Sequence, residues 1–156
     1  VSNWSTPLEP NRARGVALHE SFSSIVGQVV EITMNGDKQV TVDKVYCVID
    51  CGAVVNPDTV KAQMESGIIF GLTAALYGEV EIEDGAVVNS NIPDNEMVLL
   101  ANCTEIEVHL APSGRMLGGV GEPGTPPIAP ALTNAIFAAT GERIRELPIS
   151  KSGFIG

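Results

Sequence analysis

Histidine, cysteine and basic residues are all scarce in this chain of 156 residues, which holds two histidines, three cysteines and nine lysines and arginines. His19 and His109 lie far apart, and neither has a partner at metal-ligand spacing, so a histidine-based metal centre is disfavoured. Cys47, Cys51 and Cys103 form no Cys-x-x-Cys pair and lack iron–sulfur spacing, which argues against a cluster held by this chain alone. Cys47 and Cys51 fall near the end of an extended run, where four residues span about 13 Å and cannot be bridged, so they read as buried free thiols. Nineteen acidic residues against nine basic ones give a net charge of −10 with no basic cluster. Nucleic acid and anionic membrane surfaces are therefore poor partners. No apolar stretch approaches the ~20 residues that cross a bilayer. Val1-Ser-Asn-Trp4 has neither the basic start nor the apolar run of a signal peptide, and the compartment stays open. No Gly-x-Ser-x-Gly elbow is present for a serine hydrolase.

What is present suffices for one domain: a length that can enclose a core and 44% hydrophobic residues. Residues 1–14 are polar, contain Pro7 and Pro10 and show no period, so they read as an extended leading segment or linker. Val- and Ile-rich runs at 15–22 and 25–34, followed by Asn35-Gly36 and Gln39-Val-Thr-Val42, predict strands and a hairpin. Apolar residues sit at Val40 and Val42 and then at Val45, Cys47 and Ile49, a change of phase that predicts a bulge near Asp43. Asn56 and Pro57 read as cap and first residue of a helix of about five turns, with Val60, Met64, Ile68, Leu72 and Leu76 at helical spacing up to Gly78. Gln63, Gly67 and Gly71 share one stripe of it, and the glycines predict close packing against another element. A second hairpin turns at Asp84-Gly85, and an irregular polar connection runs from Asn89 to Asn102. Ile106, Val108 and Leu110 alternate with Glu105, Glu107 and His109, a strand with one wet face on which His109 reads as solvated. The fold class is α+β: two main helices against a mostly antiparallel sheet.

The stretch Gly118-Gly-Val-Gly-Glu-Pro-Gly-Thr125 sets one carboxylate, Glu122, inside a glycine turn. Thr125 is read as a cap and Pro126 as part of the first turn of a helix that carries Ile128, Leu132, Ala135, Ile136 and Ala139 and ends at Gly141. The glycines admit unusual backbone angles and close approach of a ligand. On spacing alone the turn is either a tight structural corner or a ligand or catalytic loop. No Lys-Ser/Thr pair follows it, which argues against a nucleotide phosphate loop. A glycosidase needs two opposed carboxylates, and no second one accompanies Glu122.

Residues 118–141, with Arg143-Ile-Arg145 and Leu147-Pro-Ile149, resemble the C-terminal end of molybdenum hydroxylase large subunits, the xanthine dehydrogenase and aldehyde oxidase family. Asp50-Cys-Gly52, Val54-Val-Asn-Pro57, Gln63-Met-Glu-Ser-Gly67 and Ile69-Phe-Gly71 resemble the same family in the same order. Gly15-Val-Ala-Leu-His-Glu-Ser-Phe22 is similar to the isoquinoline 1-oxidoreductase beta-subunit type. Asn91-Ile-Pro-Asp-Asn95 departs from the aromatic and histidine residues that many members carry.

The resemblance implies that Glu122 is the base that activates a hydroxyl on molybdenum. It places Gln63, Gly119, Val120 and Gly121 at the molybdopterin, which would be the cytosine dinucleotide form; His19, read from the residues as a local polar contact with Glu20, is assigned no catalytic role. A base needs a near-neutral pKa, which partial burial in a glycine pocket would favour. Family large subunits are several times longer, so residues 15–156 read as the C-terminal portion of a molybdopterin-binding domain in a bacterial cytoplasmic or periplasmic enzyme. Its implied partners are the rest of the large subunit, a small subunit with [2Fe–2S] clusters and a small aldehyde or N-heteroaromatic substrate. No protein ligand to the metal is expected, and the isolated chain is expected to hold no cofactor, to be inactive and to self-associate. The alternative is a non-catalytic binding or assembly module.

Overall fold

The computed structural model describes residues 1–155, so Gly156, the last residue of the expected 15–156 portion, lies outside the described residues. Its elements in chain order are β1 (Arg12–Ser21), β2 (Ser24–Met34), β3 (Val40–Asp50), α1 (Pro57–Leu76), β4 (Ile82–Glu83), β5 (Ala86–Val87), β6 (Glu105–Leu110) and α2 (Ile128–Thr140). The main sheet runs β1-β2-β3-β6, and β4 and β5 form a separate short hairpin. The first three strands are antiparallel meanders, whereas β6 lies parallel to β3. A parallel pair needs a long crossover, and the segment between β3 and β6 carries α1.

Register sorts the side chains onto two faces. Gly15, Val30, Val45 and Ile106 form one cross-strand row, and Ala17, Gln28, Cys47 and Val108 form the next on the same face. This inner face meets both helices in one core that includes Val30, Val45, Met64, Ile68, Leu132 and Ile136. The opposite face shows a charged row, Arg14, Glu31, Lys44 and Glu105, beside an apolar one, Val16, Val29 and Tyr46, that ends on Glu107. Glu31 pairs with Lys44 and Ile32 with Val42, leaving Asp43 as the extra residue of the bulge read from the phase change.

Local chemistry explains the boundaries. Asn56 caps α1 as read, its Oδ1 accepting from the N–H groups of Asp58 and Thr59, both at 3.1 Å. Gly141 ends α2 in the left-handed region at φ 76°, its N–H donating to the Phe137 carbonyl. Three details differ from the sequence reading. β1 begins at Arg12, inside the segment expected to be irregular, because Arg14 donates to Glu31 Oε1 at 2.6 Å and to the carbonyls of Asn3, Trp4 and Thr6, fastening the leading segment to the sheet. α2 begins at Ile128, so neither Thr125 nor Pro126 belongs to it, and its buried stripe ends at Ile136 with Ala139 exposed. The β1–β2 turn is made by Phe22 and Ser23 at φ 53° and 61°, a left-handed pair that turn chemistry normally assigns to Gly or Asn.

Candidate functional site

The loop 118–125 passes between the β1–β2 turn and α1, and its glycines are used for close approach. None of Gly118, Gly119, Gly121 and Gly124 lies in the left-handed region, which corrects the expectation of unusual backbone angles there. A Cβ on Gly118 would overlap the Ser24 hydroxyl, one on Gly119 would stand 2.9 Å from Phe22 Cβ, and one on Gly124 would stand 3.2 Å from the Met64 carbonyl. Backbone bonds fix the ascent. Gly118 N–H donates to the Cys51 carbonyl at 2.9 Å and Gly119 N–H to the Phe22 carbonyl at 2.8 Å. Asp50 steadies the approach on its other side, accepting from the Gly52 N–H, the Ser113 hydroxyl and Arg115 Nη2. The Gly52 and Ser113 bonds, in that order and aided by Arg115, hold the Asp50 carboxyl below the usual carboxylate range.

The glycine stripe of α1 receives the far end of the loop. A Cβ on Gly71 would run into Ile128 Cγ2, and one on Gly67 would stand 3.2 Å from Thr125 Oγ1. Thr125, instead of capping a helix, donates its hydroxyl to the Gly67 carbonyl at 3.2 Å. Its N–H closes a turn onto the Glu122 carbonyl at 2.9 Å.

Gln63 and Gly121 are brought together: the Gln63 amide nitrogen stands 3.8 Å from where a Gly121 Cβ would be. Gln63 and Val120 are half-buried, and Gly119, Gly121 and Glu122 are exposed. Glu122 lies on the rim of a cleft of about 470 Å³ whose walls include His19, Phe22, Ser66, Phe70 and Pro126. The partial burial expected of Glu122 is absent from this chain, since a turn of glycine and proline offers no side chain long enough to cover it. His19, set aside in the sequence, and Phe22 and Phe70 are the cleft residues that sequence reasoning missed. For His19 the signal was parity: it shares the inner face with Gly15 and Ala17 and so points toward the helix layer. His109 shares the outer face with Glu107, as its parity implied, and is partly exposed and hydrogen-bonded to Glu107 Oε1 at 2.7 Å. Asn91–Asn95 lies apart from this cleft, beside Tyr77 and Glu79.

The residues 3–103 match the molybdopterin cofactor-binding domain family. The chain belongs to this family. Isoquinoline 1-oxidoreductase subunit beta of Brevundimonas diminuta is 37% identical over 153 residues, covering 96% of this chain and 20% of that protein. The chain thus spans about a fifth of the length of that curated relative. An aldehyde oxidoreductase structure from Desulfovibrio desulfuricans matches with TM-score 0.68 at 28% identity, over 80% of this chain and 14% of the other. Quinoline 2-oxidoreductase from Pseudomonas putida 86 matches with TM-score 0.72 over 81% of this chain and 17% of the other, and at 22% identity it speaks for the fold alone.

The loop's donor set fits the cofactor of this family. The N–H groups of Val120, Gly121 and Glu122 meet no backbone acceptor among the described residues, and the Gln63 amide stands beside them. Such neutral donors, with no Cβ at Gly121 to hold a ligand off the Gln63 amide, suit an oxygen- and nitrogen-rich heterocycle. Among the described residues no group of three or more His, Cys, Asp or Glu could hold a metal ion, and no helix is long and apolar enough to cross a membrane.

Proposed function

We propose that this chain is the C-terminal portion, residues 15–156, of the large subunit of a molybdenum hydroxylase that oxidises an aldehyde or an N-heteroaromatic carbon with oxygen from water. The observation that supports it most is the placement of Glu122: a single carboxylate, exposed at a cleft, on a loop that carries free N–H groups beside the Gln63 amide. Molybdopterin, in its cytosine dinucleotide form, would supply the redox chemistry and the centre at which water is activated. Glu122 takes a proton from the nucleophile at its carboxylate, while Gln63 and the backbone N–H groups of Val120 and Gly121 hold the pterin side in register; Gly119, whose N–H and carbonyl are taken by Phe22 and Ser24, anchors the loop behind them instead of meeting the pterin. Phe22 and Phe70 line the same cleft with apolar surface that suits a planar substrate. A small subunit with [2Fe–2S] clusters would accept the electrons.

A single substitution tests the base. Gln keeps the size of Glu and much of its hydrogen bonding but cannot take the proton. In the full-length subunit, Glu122→Gln is expected to retain molybdenum and substrate affinity and to lose turnover by about 10²- to 10⁴-fold, the usual worth of general-base catalysis. Turnover within a few-fold of the parent at matched metal content would end the assignment. Because the chain covers a fifth of its relative, the 156 residues alone are expected to bind no molybdenum and show no activity. Stoichiometric metal in the isolated chain would overturn that part.

A further inference from the structure

The buried polar residues among those described are Ser2, Ser24, Gln28 and Glu31. Glu31 is bonded to Arg12 and Arg14. Ser24 and Gln28 both belong to β2, four residues apart, and therefore look out from the same face. Each donates to the loop that carries Glu122, one before the carboxylate and one after it. Ser24 Oγ donates to the Gly119 carbonyl at 2.7 Å, and Gln28 Nε2 donates to the Gly124 carbonyl at 2.7 Å. A carbonyl only accepts, so the orientation of the Gln28 amide is fixed by its partner. Its Oε1 has no hydrogen-bond partner among the described residues, and Cys47 lies directly across the ladder from it.

Burying such groups in a core is unfavourable unless a hydrogen bond compensates, and here the compensation comes from the loop. The peptide unit carries the consequence outward. In a trans peptide the N–H points opposite to the C=O. Drawing the Gly119 carbonyl inward onto Ser24 turns the Val120 N–H away from the sheet, toward the side on which a ligand would bind. Drawing the Gly124 carbonyl onto Gln28 turns the Thr125 N–H the other way, where it donates to the carbonyl of Glu122 itself at 2.9 Å. One clamp thus sets a ligand donor and the other sets the backbone of the carboxylate.

We propose that Ser24 and Gln28 are positioning residues: they clamp the loop on both sides of Glu122 and hold its carboxylate and the Val120 N–H at working orientation. The catalytic half of this inference rests on the reading of Glu122 as base, whereas the clamping half does not. Two variants of the full-length subunit test it, Gln28→Met, which keeps length and loses the donor, and the milder Ser24→Ala. In the cofactor-free protein, amide exchange of the segment 118–125 should rise about tenfold in each, the factor that matches a lost hydrogen bond of about 1.4 kcal/mol, with β2 and α1 unchanged. In the loaded protein kcat should fall tenfold or more while KM stays within about twofold and metal content holds. Exchange unchanged in the loop, or raised equally over the whole chain, would overturn the clamp. Faster loop exchange with normal kcat would overturn the positioning role. A near-normal Glu122→Gln enzyme with a loosened loop in the Gln28 variant would remove the base while leaving the clamp.

Discussion

Cys47 sits fully buried on the inner face of β3, and desolvation pushes its thiol from 9.0 up to about 12, against a smaller opposing pull from the Gln28 amide. The unfolded chain ionises this thiol near its ordinary value and the folded one does not. The stability linked to Cys47 is therefore fully present below the unfolded pKa and is lost as pH rises through the folded one. The unfolding free energy should fall by about 1.4 kcal/mol per pH unit from this group between the two values. Cys47→Ala is expected to show a constant deficit below pH ~9 that then closes at that slope, read from urea midpoints across pH. A deficit independent of pH up to the folded value would show that the thiol is not shielded. At this scale the buried state of Cys47 was legible in the sequence, because a cysteine on the apolar phase of a strand tends inward, whereas the exposure of Glu122 was not. Nor were Ser24, Gln28 and Phe22. Serine and glutamine on a strand signal a wet face, and only the return of the chain some 95 residues later supplies the carbonyls that bury them.

Between α1 and the loop, two glycines on one stripe are under different pressure. A Cβ on Gly71 collides with Ile128 Cγ2 and comes within 2.9 Å of the Thr125 carbonyl, whereas a Cβ on Gly67 meets the Thr125 hydroxyl and Gly124 at 3.2 and 3.4 Å. Replacing a mid-helix glycine by alanine gains about 1 kcal/mol of helix propensity, and overpacking costs about 1–3 kcal/mol. Gly67→Ala should thus be near neutral. Gly71→Ala should be destabilising by about 1–2 kcal/mol, since its obstacles are backbone and a buried side chain that cannot swing away. Equal urea midpoints for the two variants would remove the distinction. The helix and its cap were legible because periodicity, Asn56 and Pro57 agree. The start of α2 was not, because Thr125, Pro126 and Pro127 give overlapping signals and the Thr125 hydroxyl is claimed by Gly67 across the fold. The β3 bulge was readable from a change of phase, but nothing in a strand's own sequence announces that β6 joins β3 in parallel.

Across the whole molecule, one sheet face is covered by helices and the other is not. Val16 and Leu18 on β1, both on the uncovered face, are 48% and 73% exposed. β1 is also an edge strand, paired on one side only among the described residues. Edge strands with apolar side chains invite pairing with a second copy. Opposing this, a net charge of −10 makes two copies repel. Salt decides between the two effects. Repulsion over more than the ~10 Å Debye length is screened at 0.1 M ionic strength, while apolar burial is not. The isolated chain is expected to self-associate, and to do so more strongly as sodium chloride rises from low to moderate concentration. Leu18→Lys places a cation beside Val16 on the uncovered face and on the strand edge, so it should weaken association at every ionic strength even though it reduces the net repulsion. This opposite sign separates the two effects: if charge governed the equilibrium, the variant would associate more than the parent. Sedimentation velocity over a concentration series reads the outcome directly, and a parent chain that stays monomeric at high protein and salt would show that this face needs no cover.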